Sequence, residues 1–241
     1  MFVESVYKRL FRVLGDANDR PLEEAMAFYA QLINPGDLCF DIGSHVGHRT
    51  DIFLSLGANV VCVEPQPKCI NILRKKYRRN SKVVLVPKGL AAITGTIPLS
   101  ICEAADTIST FSAEWKKGRF RDYQWDYKVD VPMTTLDALI REHGLPRFCK
   151  IDVEGFEYQV LQGLSWPIRI VSFEFAQEFF RNAQRCINHL ETLGKVEFNY
   201  SQGESMAFAM QDWVNGLTVC EKIGNTPDDL LWGDIYGRFR S

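Results

Sequence analysis

The chain has 241 residues, 46% hydrophobic and 24% charged, the make-up of a globular protein long enough to bury a substantial core. Its 28 Lys and Arg against 30 Asp and Glu leave a net charge of −2, which excludes a global field for nucleic acid or an anionic membrane. The 7 cysteines include no C-x-x-C pair, which excludes the common zinc and redox spacings and points to reduced core thiols in a cytoplasmic protein.

In chain order, Val3, Val6, Tyr7, Leu10, Phe11 and Leu14 fall on one helical stripe, and the charges at Glu4, Lys8, Arg9 and Arg12 break any signal-peptide run. Asp19–Pro21 reads as a helix start, with the helix continuing to about Ile33. Residues 1–35 are thus expected to form an N-terminal helical extension. After the turn "NPGD" the pattern alternates: strand 38–42, helix 47–56, strand 59–64, helix 67–79, strand 82–86. Residues 89–133 break the alternation with short β-like pieces, "TIPLSIC" and "YKVDVPM", around an aromatic loop. Alternation resumes with helix 135–143, strand 147–152, helix 156–163, strand 168–174 and a helix near 177–192. Strand-like runs at 195–200, 205–210 and "DIYGRF" close the chain.

This order predicts one α/β domain over residues 1–241, a Rossmann-like, doubly wound and mostly parallel sheet with an antiparallel C-terminal edge. No window approaches the ~18 apolar residues of a membrane span. Ligands of such sheets bind beyond the C-terminal strand ends. Here those ends carry Asp41, Glu64, Asp152 and Glu174, all acidic, so a hydroxylated or cationic ligand is expected.

At the first end, "CFDIGSHVGHRT" places Asp41 before a turn built on Gly43 and Gly47, which permit positive φ and a close backbone approach. Glu64 follows 23 residues later, where an acid grips ribose hydroxyls. Two ligands compete for this loop. A dinucleotide wants G-x-G-x-x-G, but Asp41 and His45 stand where its first two glycines belong, and a carboxylate repels a pyrophosphate. S-adenosylmethionine, with an ammonium, a sulfonium and a ribose, suits the acids better.

The segments "FDIGSHVGHRT", "VCVEPQP", "TTLDAL" and above all "KIDVEGFEYQVLQG" resemble the FkbM family of S-adenosylmethionine-dependent methyltransferases, with "VSFEF" and "WGDIYGR" as weaker echoes. Ser44-His45 departs from the family's usual Ala-Asn, and 111–127 matches no family pattern. The resemblance implies methylation of hydroxyl oxygens on sugars, natural products or lipids. It implies that Asp41, Gly43 and Gly47 line the methionine end of the cofactor, that Glu64 holds the ribose, and that Ser44, His45, Pro65 and Gly89–Leu90 lie beside it.

Methyl transfer to oxygen needs an aligned hydroxyl and a proton acceptor. Asp152, ending its strand at the cleft, is the expected base or acceptor-orienting group. Glu154 and Glu174 are placed to reach the same cleft, and Glu157 either joins them or caps the next helix. The hard oxygens of Asp152, Glu154 and Glu174 also suit a divalent metal, and the sequence leaves metal-assisted and metal-free chemistry open. "FSAEWKKGRFRDYQWDY" reads as a lid stacking on a small-molecule or glycan acceptor, or as plain packing of the 89–133 insertion. The basic run "RKKYRR" reads as a solvated helix face. The rival functions are an NAD-linked oxidoreductase and a non-catalytic adenosylmethionine-binding module.

Overall fold

The structure, a computed structural model, describes residues 20–118 and 120–240. The helical stripe expected over residues 3–14 lies outside them. The first described helix, α1 (Arg20–Tyr29), follows the start signal at Asp19–Pro21. Then come β1 (Leu38–Ile42), α2 (His48–Ser55), β2 (Asn59–Val63), α3 (Pro67–Tyr77) and β3 (Val83–Val86), all within two residues of the boundaries read from periodicity.

The insertion forms its own small sheet from β4 (Gly89–Leu90), β5 (Gly95–Ile101) and β6 (Tyr127–Thr134), in the order β4-β6-β5. Beyond it lie α4 (Leu136–His143), β7 (Phe148–Ile151), α5 (Glu157–Leu161), β8 (Ile170–Ala176), α6 (Phe180–Leu193), β9 (Val196–Gln202), α7 (Gly216–Gly224) and β10 (Trp232–Phe239). Helix α4 begins where Thr135 Oγ1 accepts the Ala138 N–H at 3.0 Å and ends at Gly144, start and stop signals written in the sequence.

The large sheet runs β3-β2-β1-β7-β8-β10-β9, parallel from β3 to β8. β10 lies antiparallel between β8 and β9, which is the expected C-terminal edge. Because strand residues alternate between faces, Phe40, Ile42, Val61, Ile151 and Phe173 pack under α4–α7. Cys39, Val60, Cys62, Phe148 and Ile170 pack under α1 and α2 on the other face. Asp41, Lys150, Ser172 and Tyr236 form one cross-strand row of that second face.

Helix α1 stops at Tyr29, four residues short of the expected Ile33, where the chain enters a turn. Two further segments differ from the sequence reading. The run at 205–210 is no strand: Met206 and Phe208 pack against the α1 face, with Phe208 ring centroids 4.9 Å from Phe28 and 5.3 Å from Tyr236. Its apolar residues serve that cover, not a ladder. Helix α7 was absent from the reading, although Asn215 caps it by accepting the Thr218 N–H at 2.9 Å. Among the described residues no helix is long and apolar enough to cross a membrane.

Candidate active site

Chain order reverses between β1 and β7, so their C-terminal ends flank the switch point where ligands of such sheets collect. Gly43 leaves β1 with φ +82°, and a Cβ built there would overlap the Asp152 carbonyl oxygen. Only glycine lets the two strand ends lie this close. The Gly43 and Ser44 N–H groups donate to the Val63 carbonyl at 2.9 and 3.1 Å, tying the loop to β2 as well. Gly47, φ +85°, starts α2 with the Tyr77 hydroxyl 2.5 Å from where its Cβ would stand. Lys76 of the basic run reaches back to the same loop, donating to Val46 O at 3.0 Å and pairing with Asp51. Arg74, Lys75, Arg78 and Arg79 stay exposed, as a solvated face requires.

Glu64 is buried just past β2. Its Oε2 accepts the His45 N–H and its Oε1 the Gln66 N–H, both at 2.8 Å. Burial pushes its pKa up to about 7, against the pull of those two donors. His45 holds a left-handed φ of 48°, and its ring Nε2 lies 3.1 Å from Asp106 Oδ1. Asp106 also pairs with Lys68 at 2.6 Å, and its carbonyl accepts from Gln66 at 3.0 Å. The 3-10 segment Glu103–Ile108 is thereby strapped across the loop. Beside it, Ile42, Gly43, Val63, Pro65, Lys88, Gly89, Leu90, Phe111, Val153 and Phe156 line a cleft of about 20 Å³, room for about one water.

Asp41 and Ser44 do not face this cleft. Asp41 is buried beneath the loop and accepts from Thr50 Oγ1 at 2.5 Å, with its pKa raised by burial to about 6. The Ser44 hydroxyl donates to the Val63 carbonyl at 3.3 Å. The strand-end acids therefore do not line one cavity: Asp41 and Glu64 brace the glycine loop, while the others gather at β7 and β8.

There, Asp152, Glu154 and Glu174 each bring a carboxylate oxygen within 4.8 Å of the others. Ile151 pairs with Phe173, so Asp152 stands level with Glu174, which in turn pairs with Asp234 of β10. Lys150, 2% exposed, points to the same face and donates to Asp152 at 3.2 Å and Asp234 at 2.7 Å. Burial disfavours its charge, but the Asp152 and Asp234 carboxylates outweigh that and keep it an ammonium. Burial, then the neighbouring carboxylates, pushes Glu154 and Glu174 well above the ordinary range. Glu157 turns inward instead: its Oε1 accepts the N–H groups of Val153 and Gly155 at 3.2 and 3.1 Å, so it braces the loop.

The aromatic segment covers this corner. Thr110 Oγ1 donates to the Glu154 carbonyl at 2.6 Å, and Trp115 packs on Gly155, φ +84°, whose missing Cβ would stand 2.7 Å from the indole. Trp115 lies 5.3 Å from Phe120 and 5.2 Å from Phe179, centroid to centroid, within a small core of the insertion. Trp115 and Phe120 are thus spent on packing, whereas Phe111, 5.4 Å from Phe156, faces the cleft. A wider hollow of about 420 Å³ around Glu191, Lys195, Glu197 and Arg240 lies at the opposite end of the sheet.

The profile described as "Methyltransferase FkbM domain" matches residues 41–210, well over half of the chain. The chain belongs to the FkbM methyltransferase family. It is therefore an S-adenosylmethionine-dependent methyltransferase, which decides between the two ligands left open by the glycine loop. Solved structures similar to this FkbM chain include an O-methyltransferase from Bacillus cereus in complex with SAH, at 13% identity over 98% of this chain and 90% of that one, TM-score 0.46. A precorrin-6y C5,15-methyltransferase from Geobacter metallireducens has 10% identity over 90% and 88%, TM-score 0.45. An rRNA methylase from Streptococcus thermophilus has 11% identity over 93% and 100%, TM-score 0.44. Likenesses this loose assign no substrate. No curated protein matches the chain.

Sequence reasoning did not single out Lys150, Asp234, Asp106 or Trp115 as site residues of this FkbM protein. A lysine two residues before Asp152 in a strand shares its face, and that spacing was the available signal for Lys150. Asp234 and Asp106 come from distant segments, and only the fold brings them in.

Proposed function

We propose that this FkbM methyltransferase transfers its methyl group to a hydroxyl oxygen of a sugar, natural-product or lipid acceptor, with Asp152 taking the hydroxyl proton. The observation that carries this reading is the place of Asp152: at the switch point, beside Gly43, with a side chain 38% exposed and one oxygen fixed by Lys150.

S-adenosylmethionine supplies an electrophilic methyl on a sulfonium. The residues around the narrow cleft fit its adenosine end: Pro65, Leu90, Val153 and Phe156 offer an apolar slot, and Glu64, one residue before Pro65, would meet the ribose hydroxyls only with the lone pairs that the His45 and Gln66 N–H groups leave free. Gly43 and the backbone of His45 and Gly47 shape the approach to the methionine end. The aromatic insertion covers part of the acidic corner and leaves Asp152 open to an acceptor. With donor and acceptor bound, the Asp152 carboxylate would take the hydroxyl proton that methyl transfer to oxygen releases. Lys150 holds that carboxylate in place, and such positioning of a base is worth roughly 10²–10⁴ in rate.

The test is turnover of methyl-labelled S-adenosylmethionine against a panel of sugar, polyketide and lipid-headgroup hydroxyls, with an amine series alongside. Asp152→Asn is expected to lose about 10²–10⁴ in kcat with SAH binding retained. Full turnover in this variant sinks the base assignment. Transfer only to amines sinks the hydroxyl acceptor. SAH binding with no transfer to any acceptor would favour a non-catalytic binding module.

A further inference from the structure

We propose that the corner formed by Asp152, Glu154 and Glu174 is a divalent-cation site, of the magnesium or manganese type. Asp152 and Glu154 follow β7, Glu174 lies within the adjacent β8, and the three bring one oxygen each within 4.8 Å of the others. A cation with bonds of about 2.0–2.4 Å spans such a separation from a central position. All three ligands are carboxylates, with no imidazole or thiolate among them, which selects a hard ion over zinc or copper.

Acidity alone would not make this a site. The second observation is the set of buried polar atoms around it that lack partners. Glu154 Oε2 and Glu174 Oε2 are buried and accept no hydrogen bond. Ser172, 0% exposed and two residues before Glu174 on the same face of β8, has an unpartnered hydroxyl. Trp115, 5% exposed, turns its indole N–H toward Glu154, a contact that pulls the Glu154 pKa down. Each such atom costs about 1–3 kcal/mol when left unsatisfied, and three of them lie on Glu154, on Glu174 and on the serine two residues before Glu174. Among the described residues, the ammonium in contact, Lys150, is shared between Asp152 and Asp234. A partly hydrated ion answers both needs. It neutralises the surplus carboxylates and gives the unpartnered oxygens of Glu154 and Glu174 a partner.

The other oxygen-bearing cluster, His45, Cys69 and Asp106, lacks this character. Its histidine and aspartate are bonded to each other, Lys68 already neutralises Asp106, and burial pushes the Cys69 thiol up to about 12.

The ion's part in methyl transfer rests on the acceptor-site reading of Asp152; its binding does not. Bound there, it gives the acceptor oxygen a Lewis-acid partner that acidifies the hydroxyl. Asp152 keeps the lone pairs not used on the ion for the leaving proton.

The experiment is a Mn²⁺ titration of the chelator-treated full chain without cofactor or acceptor, followed by electron paramagnetic resonance of the free ion and by calorimetry. Expected is a single ion per chain, displaced by Mg²⁺, with affinity falling at least about tenfold in Glu154→Gln and in Glu174→Gln and unchanged in Glu197→Gln. Both acidic-corner variants are isosteric and relieve charge repulsion, and SAH calorimetry reports that each is folded. No binding at millimolar Mn²⁺, or binding that survives either Gln variant, overturns the proposal. Loss of Mn²⁺ binding alongside normal SAH binding in the parent chain would sink the metal while leaving the methyltransferase reading intact. The reverse pattern would do the opposite.

Discussion

At Gly43 the chain turns off β1 with φ +82°, directly over the Asp152 carbonyl. Gly43→Ala therefore meets two penalties: about 1–2 kcal/mol for the left-handed backbone, and displacement of the β7 end that carries the base. Urea denaturation is expected to show a loss larger than the backbone term alone, with kcat falling further than SAH affinity. A variant as stable as the parent would mean the loop relaxes freely. Lys150 makes the second residue-scale prediction. Lys150→Met leaves Asp152 and Asp234 facing each other without their shared ammonium, and breaking a buried pair this way costs about 3–5 kcal/mol. In a chain of this size that lowers Tm by roughly 2–4 °C per kcal/mol. Paired replacement, Lys150→Met with Asp234→Leu, is expected to recover much of the loss. Gly43 was legible as a loop glycine, but its reason was not: the close approach is to the protein's own strand end.

Among the elements, the strap at Glu103–Ile108 is tied to the glycine loop through His45 and to Gln66, and it is expected to gate cofactor entry. The cleft beside it holds about one water, so an adenosine needs its lining, Phe111 included, to open. The strap's polar ties converge on Asp106, and its pair with Lys68 is mostly exposed, hence worth at most about 1 kcal/mol. Asp106→Ala is expected to raise the SAH association rate several-fold in stopped-flow tryptophan fluorescence; an unchanged rate would mean the strap is no gate. The strands and helices of the parallel core were readable because each carries its period, apolar runs in β1, β2 and β7 and a 3.6-residue stripe in α3, α4 and α6. Segment 205–210 misled because an apolar run packed on a helix face has the same composition as a buried strand. The insertion's rings could not be divided by sequence into packing and cleft-facing groups, since that depends on Phe179 and Gly155, far along the chain.

For the molecule as a whole, burial of acids makes stability depend on pH. Burial raises Asp41 to about 6 and Glu64 and Glu157 each to about 7, from ordinary values of 3.8, 4.5 and 4.5. Between the unfolded and folded values the native state holds more protons than the unfolded chain, so unfolding free energy falls as pH rises from about 4.5 to 7. His48 opposes this, its imidazolium disfavoured by burial and then by Lys76. Glu154, Glu174 and Asp234 are raised as well, so six carboxylates against one imidazole give a net decline, to be measured by urea denaturation across that range; Glu157→Gln is expected to flatten it in part, and a rising profile would contradict the burial of these acids. The sequence by itself determined the alternation of elements, the parallel core with its antiparallel edge, and the glycine loop and K-I-D-V-E-G block that mark the family, because local periodicity and short motifs are written in contiguous residues. Tertiary structure alone decided that Asp41 and Glu64 brace the loop while Asp152, Glu154 and Glu174 converge, and that Lys150, Asp234 and Trp115 complete that corner. Which way a strand-end carboxylate turns, and what it meets there, depends on neighbouring strands tens of residues away, and no local pattern encodes their register.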